Sequence, residues 1–199
     1  EEEHYTKKFT YKHTPDEDII SETSKKGNKT LTAYIRGTSI PKRREIYENK
    51  QVKRRTLYDY NEEGVLIRIT LDNGNPHNDL PQKWITVITP KKDLPNLGAP
   101  EIIEERSYDP QTKSENLLQK TINHFDSRGF VIKQDIFDSS GEPTYTIEKD
   151  YDNRGNLTTY KDPLGNQTTY TYDLNGNLTQ QKNQELIVDY DYDIQNNLL

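Results

Sequence analysis

Three features of this 199-residue sequence predict an all-β fold, an antiparallel β-meander forming a twisted strip. The first is a recurrent aromatic-Asp pair followed by a glycine turn. The second is the return of turn signals every 8–12 residues over most of the chain. The third is the alternation of apolar and polar residues between those turns, which gives each strand one face of each kind. Composition leaves little core material. Only 30% of the residues are apolar, even with the 14 tyrosines counted among them, and Tyr must supply much of the buried area through its amphipathic ring.

The repeat starts at Tyr60-Asn61-Glu62-Glu63-Gly64-Val65-Leu66 and recurs at Phe125-Asp126-Ser127-Arg128-Gly129-Phe130-Val131. Three further copies are Tyr151-Asp152-Asn153-Arg154-Gly155-Asn156-Leu157, Tyr172-Asp173-Leu174-Asn175-Gly176-Asn177-Leu178 and Tyr192-Asp193-Ile194-Gln195-Asn196-Asn197-Leu198. Asp can accept hydrogen bonds from backbone N–H groups a few residues on, and Gly supplies a positive φ, so a strand reverses at each copy. A second turn type, Asp162-Pro163-Leu164-Gly165-Asn166, lies between copies, with an echo at Asp138-Ser139-Ser140-Gly141-Glu142. Each repeat thus holds about two strands. Tyr151, Tyr172 and Tyr192 are expected in a row, with Leu157, Leu178 and Leu198 beside them.

Along the chain, residues 1–30 have turn and charge character without clear periodicity and read as a leader. Residues 31–108 read as a divergent or interrupted repeat region, with a Pro/Asn-rich loop insertion at about 71–100 around the strand KWITVIT. Residues 109–199 read as the regular repeat region, ending within a repeat. The chain opens on EEEHY without Met and stops inside a copy of the motif, so it reads as a piece of a longer protein.

The segments YDNRGNLT, YDLNGNLT and the intervening DPLGN resemble the Rhs or YD-repeat family of polymorphic toxins, toxin-complex subunits and teneurin-like surface proteins. The match is strongest from Phe125 to Leu199. The resemblance implies a strip that is one fragment of a larger coiled shell, its partners being the remaining repeats of the parent chain and an enclosed C-terminal polypeptide such as a toxin domain. It also implies a secreted or cell-surface location. Phe125 in place of Tyr and Asn196 in place of Gly depart from the pattern, although Asn tolerates the left-handed conformation. No self-cleavage segment of the kind that closes many family members is found.

Searches for other chemistry are negative. There is no cysteine, and His4, His13, His77 and His124 form no ligand pattern, so neither metal nor cofactor is expected. Asp173-Leu174-Asn175-Gly176-Asn177 resembles a calcium loop only until Leu178, where an EF-hand needs Gly. No phosphate-cradling loop, nucleophile elbow or membrane span is visible. Net charge is -6, which gives no general attraction to nucleic acid. The basic run Lys42–Arg55 could mark a polyanion site, but charges on a strand's solvent face are the simpler reading.

The function expected is therefore a non-catalytic structural segment. The second reading is a carbohydrate-binding or adhesion module, with Trp84, the only tryptophan, as the ligand contact. A lone Trp in a β-protein more often fills a core or seam. Cut strand edges would favour self-association.

Overall fold

The computed structural model describes residues 7–74 and 83–199. His4, His77 and most of the first Pro/Asn-rich loop lie outside them. The expected all-β fold is what the chain adopts. Among the described residues, fifteen strands in one sheet follow one another in chain order, β1-β2 through to β14-β15, and the first and last of them are not neighbours. No helix occurs among the described residues. Such an order needs no crossover, because every connection is a hairpin between adjacent antiparallel strands.

Two compact units divide the chain, one of Glu1–Thr89 with Ile103–Leu118, the other of Pro90–Ile102 with Gln119–Leu199. The first holds β1 (Lys8–His13), β2 (Glu17–Thr23), β3 (Lys29–Ile35), β4 (Pro41–Glu48), β5 (Gln51–Tyr60), β6 (Leu66–Asp72) and β7 (Lys83–Pro90). β8 (Pro100–Asp109) and β9 (Ser114–Phe125) follow. The second unit continues through β10 (Val131–Phe137), β11 (Pro143–Tyr151), β12 (Leu157–Lys161), β13 (Gln167–Tyr172), β14 (Leu178–Lys182) and β15 (Ile187–Asp189). Lys8–Thr23, which shows no clear periodicity in sequence, forms the paired strands β1 and β2.

In the first unit, cross-strand register assigns the faces. One face carries the row Ile19, Ala33, Arg43, Leu57, Thr70 and Ile85, each directly opposite the next. Ala33 and Ile85 are among the few buried apolar residues, and the charges nearby are paired. Glu17 takes two hydrogen bonds from Arg43 at 2.6 and 2.7 Å, the buried carboxylate of Asp72 takes two from Arg55, and Glu115 pairs with Arg68. The other face carries Tyr11, Ile20, Thr32, Arg44, Thr56, Leu71 and Trp84 in register. Trp84 is 57% exposed whereas Ile85 is 1% exposed. The expectation that the tryptophan fills a core is thus corrected, because strand alternation gives that role to its neighbour.

The signature hairpins share an irregularity that the repeat alignment does not show. Tyr60 pairs with Leu66 but Asp59 with Arg68, so Ile67 is an extra residue. Ile132, Thr158 and Thr179 are extra in the same way after the turns that follow Phe125, Tyr151 and Tyr172. Each is a bulge at the second residue of the outgoing strand, and bulges of this kind sharpen local twist.

Gly155 and Gly176 occupy equivalent turn positions with φ of +90° and +89°, yet a Cβ at Gly155 would lie 2.7 Å from the Phe130 ring while one at Gly176 would meet nothing within 4 Å. Gly176→Ala is therefore expected to cost about 1–2 kcal/mol in left-handed strain alone. Gly155→Ala should cost about 1–3 kcal/mol more for displacing the ring. Denaturant midpoints of the two variants measure the difference, and equal losses would show that the ring contact contributes nothing.

Candidate functional site

The residues that repeat are those that build the turns. In the turn of Asp152, one carboxylate oxygen accepts from the N–H groups of Arg154 and Asn156 at 2.8 and 2.9 Å. The Asp152 N–H donates to the Asn156 carbonyl, and the Gly155 N–H donates to the Asp152 carbonyl. The same pair of bonds to the i+2 and i+4 N–H groups recurs at Asp126, Asp138, Asp162, Asp173 and Asp193. At i+3 stand Gly129, Gly141, Gly155, Gly165 and Gly176, all with positive φ, and Asn196 with φ of 63°. The departure at Asn196 therefore preserves the backbone conformation.

The other carboxylate oxygen is also engaged. Asn156, Asn166, Asn177 and Asn197 each donate a side-chain N–H to the Asp four residues earlier, at 2.8–3.0 Å. Where Phe130 takes the place of that Asn, Arg128 supplies the donor, its Nε reaching Asp126 at 2.9 Å. The freed position lets the Phe130 ring stack on Tyr151, with centroids 4.8 Å apart.

Tyrosine then ties each hairpin to the strand before it. Tyr151 pairs with Leu157, Tyr172 with Leu178 and Tyr192 with Leu198. The Tyr172 hydroxyl donates to the Leu157 carbonyl at 2.8 Å, and the Tyr192 hydroxyl to the Leu178 carbonyl at 3.0 Å. Tyr151 reaches Val131, opposite Phe125, at 3.3 Å. One line thus runs Phe125, Val131, Tyr151, Leu157, Tyr172, Leu178, Tyr192, Leu198, alternating cross-strand pairs with hydroxyl–carbonyl bonds. In the first unit Tyr60 does the same, bonding to the Pro41 carbonyl at 2.8 Å and pairing with Leu66.

Successive turns of the second unit are joined as well. Asn96 donates to the Asp126 carbonyl, Arg128 to the Asp152 carbonyl, and Arg154 to the Leu174 carbonyl at 2.7 Å. Asn175 and Asn177 both donate to the Asn196 side-chain oxygen. Asn96 belongs to the second Pro/Asn-rich loop, so in the structure that loop is a rung of the turn ladder.

Electrostatics follow from these bonds. The amide of Asn166, Asn177 or Asn197 is the chief cause holding Asp162, Asp173 or Asp193 below the usual carboxylate value. At Asp152 partial desolvation pushes upward, and the side-chain and backbone N–H donors outweigh it. Loss of water around the rings of Tyr60, Tyr151 and Tyr172 raises their hydroxyls, which therefore stay protonated donors near neutral pH.

The remaining residues singled out in the sequence do not converge. His13 bonds to Asp18 and His124 to Asp135, in different units. No group of three or more His, Cys, Asp or Glu able to hold a metal occurs among the described residues. Trp84 belongs to the first unit.

Asn61, which stands in the Asp position of the copy at Tyr60, accepts with its side-chain oxygen from Glu63 and Val65 as the aspartates do. Sequence reasoning missed Asp109, which accepts from Gln111 at 2.8 Å in a turn where Lys113 takes φ of 56°. The Tyr108-Asp109 pair was a signal for it, obscured by the absence of glycine.

The fold and these bonds define a repeat protein whose recurrent side chains bond to its own backbone. Residues 151–183 match the family described as RHS Repeat, and the Rhs/YD-repeat resemblance read from the sequence holds. The chain is similar in fold to a crystal structure of TcdB2-TccC3-Cdc42, with TM-score 0.56 and 16% identity over 94% of this chain. It is also similar to one of TcdB2-TccC3-TEV, with TM-score 0.53 and 17% identity over 90%. It spans 10% of the length of each of those chains. No curated protein gives a significant sequence match.

Two outcomes follow. Tyr172→Phe should lower stability by about 0.5–1.5 kcal/mol through loss of its bond to Leu157, measured by denaturant unfolding. With the turn aspartates lowered in the folded state, their contribution is full above the ordinary value of 3.8 and is lost as pH falls through the folded values. Unfolding midpoints should therefore drop below about pH 4 and drop less steeply in Asp173→Asn. A midpoint unchanged on acidification would refute this account of the turns.

Proposed function

We propose that this chain is a non-catalytic structural segment of an Rhs/YD-repeat protein, contributing strands to a shell that encloses a polypeptide such as a C-terminal toxin domain. One observation carries the reading: the residues that could perform chemistry, the recurrent Asp, Tyr and Arg side chains, are spent on backbone N–H and carbonyl groups of the strip itself. Groups engaged in this way hold neighbouring repeats together and are not poised for proton transfer. The likeness in fold to structures containing TccC3 supports the same reading, as does the RHS repeat at residues 151–183.

In this reading the partners are the remaining repeats and the enclosed polypeptide, and the setting is outside the producing cell. The carbohydrate reading gains nothing from the turn asparagines, since Asn156, Asn166 and Asn177 donate their side-chain N–H groups inside turns.

Limited proteolysis of the protein expressed from its complete reading frame tests the proposal. A polypeptide protected in the intact protein should become rapidly cleaved when residues 109–199 are deleted. If no segment is protected, or if protection survives the deletion, the enclosing role is wrong.

A further inference from the structure

The basic run Lys42–Arg55 separates into two kinds of arginine once the strands are paired. Arg43 and Arg55 point to the face where Glu17 and Asp72 receive them. Arg44 and Arg54 point to the other, for Arg44 lies opposite Thr56 and Ile46 opposite Arg54. This places the two guanidinium-bearing residues diagonally across β4 and β5, about 7–8 Å apart by ordinary sheet geometry.

Of the nine arginines in the chain, Arg36, Arg43, Arg55, Arg68, Arg106, Arg128 and Arg154 all donate to a carboxylate or carbonyl oxygen. Arg44 and Arg54 have no such partner among the described residues. They line one depression of about 330 Å³ together with Ile46, Thr56, Tyr58 and Ile69. The hydroxyls of Thr56 and Tyr58 are likewise without a hydrogen bond there. No acidic residue lines the depression. Two like charges set diagonally with no counter-charge repel one another, so the arrangement is suited to an anion brought from outside.

We infer that this face of β4, β5 and β6 is a binding site for an acidic polypeptide segment, with a carboxylate held between Arg44 and Arg54. An arginine fork matches a carboxylate in shape and charge, and Tyr58 and Thr56 add neutral donors. The Ile46 and Ile69 side chains accept an apolar residue next to the acidic one. The surface continues in register through Leu71 to the exposed Trp84, and Arg, Tyr and Trp are the residue types that dominate protein-binding surfaces. A polynucleotide fits less well: only two guanidinium groups are unpaired, and the chain carries net charge -6, which opposes the long-range attraction on which phosphate binding depends.

Titration calorimetry of the chain with a synthetic peptide alternating Glu and Leu tests the site. The peptide should bind, and its analogue with Gln for Glu should not. Arg44→Ala with Arg54→Ala should weaken binding at least about tenfold, the equivalent of one charged hydrogen bond. Lys25→Ala with Lys26→Ala, which removes the same charge from the turn before β3, should leave affinity unchanged. Circular dichroism of both double variants should match the parent. Absence of peptide binding, equal affinity in the arginine variant, equal loss in the lysine variant, or stronger binding of single-stranded DNA than of the peptide would each overturn the inference.

Discussion

The fold depends on a carboxylate oxygen that accepts two backbone N–H groups inside a five-residue turn. Reversing a strand leaves N–H groups with no ladder partner, and unpaired backbone groups are costly. An Asp at the first position satisfies two of them and a left-handed residue at the fourth brings the chain round. The same solution recurs at Asp126, Asp138, Asp152, Asp162, Asp173 and Asp193, so these strands reverse with one shared turn geometry. The register set by these turns places a tyrosine at the end of one strand against the first carbonyl of the preceding strand.

Local turns and longer contacts therefore reinforce each other. A hairpin alone is marginal in water. Here the hairpins at Asp126, Asp152 and Asp173 are tied sideways by a tyrosine hydroxyl and at their tips by Arg128, Arg154 or Asn175. Stability in such an array is shared between neighbours in the manner of other repeat proteins. Buried apolar side chains play a smaller part, with Ala33, Ile85 and Ile136 the buried hydrophobic residues among those described. This accords with a sequence of low apolar content, and it explains why so many polar side chains have assigned backbone partners.

The two faces of the first unit divide the work. One holds Arg43, Arg55 and Arg68 against acidic partners. Such pairs sit near small and branched apolar residues, where water is partly excluded and the attraction is less screened. The other presents Arg44, Arg54, Tyr58 and Trp84 without that compensation. The two sets of arginines are therefore unequal, one neutralised within the strip and the other left open.

Much of the architecture was legible in the residues. Asp and Gly at fixed spacing specify a turn by local hydrogen bonding and by φ, so the hairpins at Asp126, Asp152, Asp162, Asp173 and Asp193 could be placed with no knowledge of contacts, and alternation between them implied an antiparallel meander. The turn at Asp109 was harder, because Lys113 takes the positive φ that glycine takes elsewhere and the substitution hides the pattern. What the tertiary structure alone decided were the relations between strands. The bulge residues Ile67, Ile132, Thr158 and Thr179, the hydroxyl bonds of Tyr151, Tyr172 and Tyr192, and the exposure of Trp84 all depend on register. The opposite fates of Arg43 and Arg44 depend on it too, since adjacent residues of a strand face opposite ways and only pairing determines what each face meets.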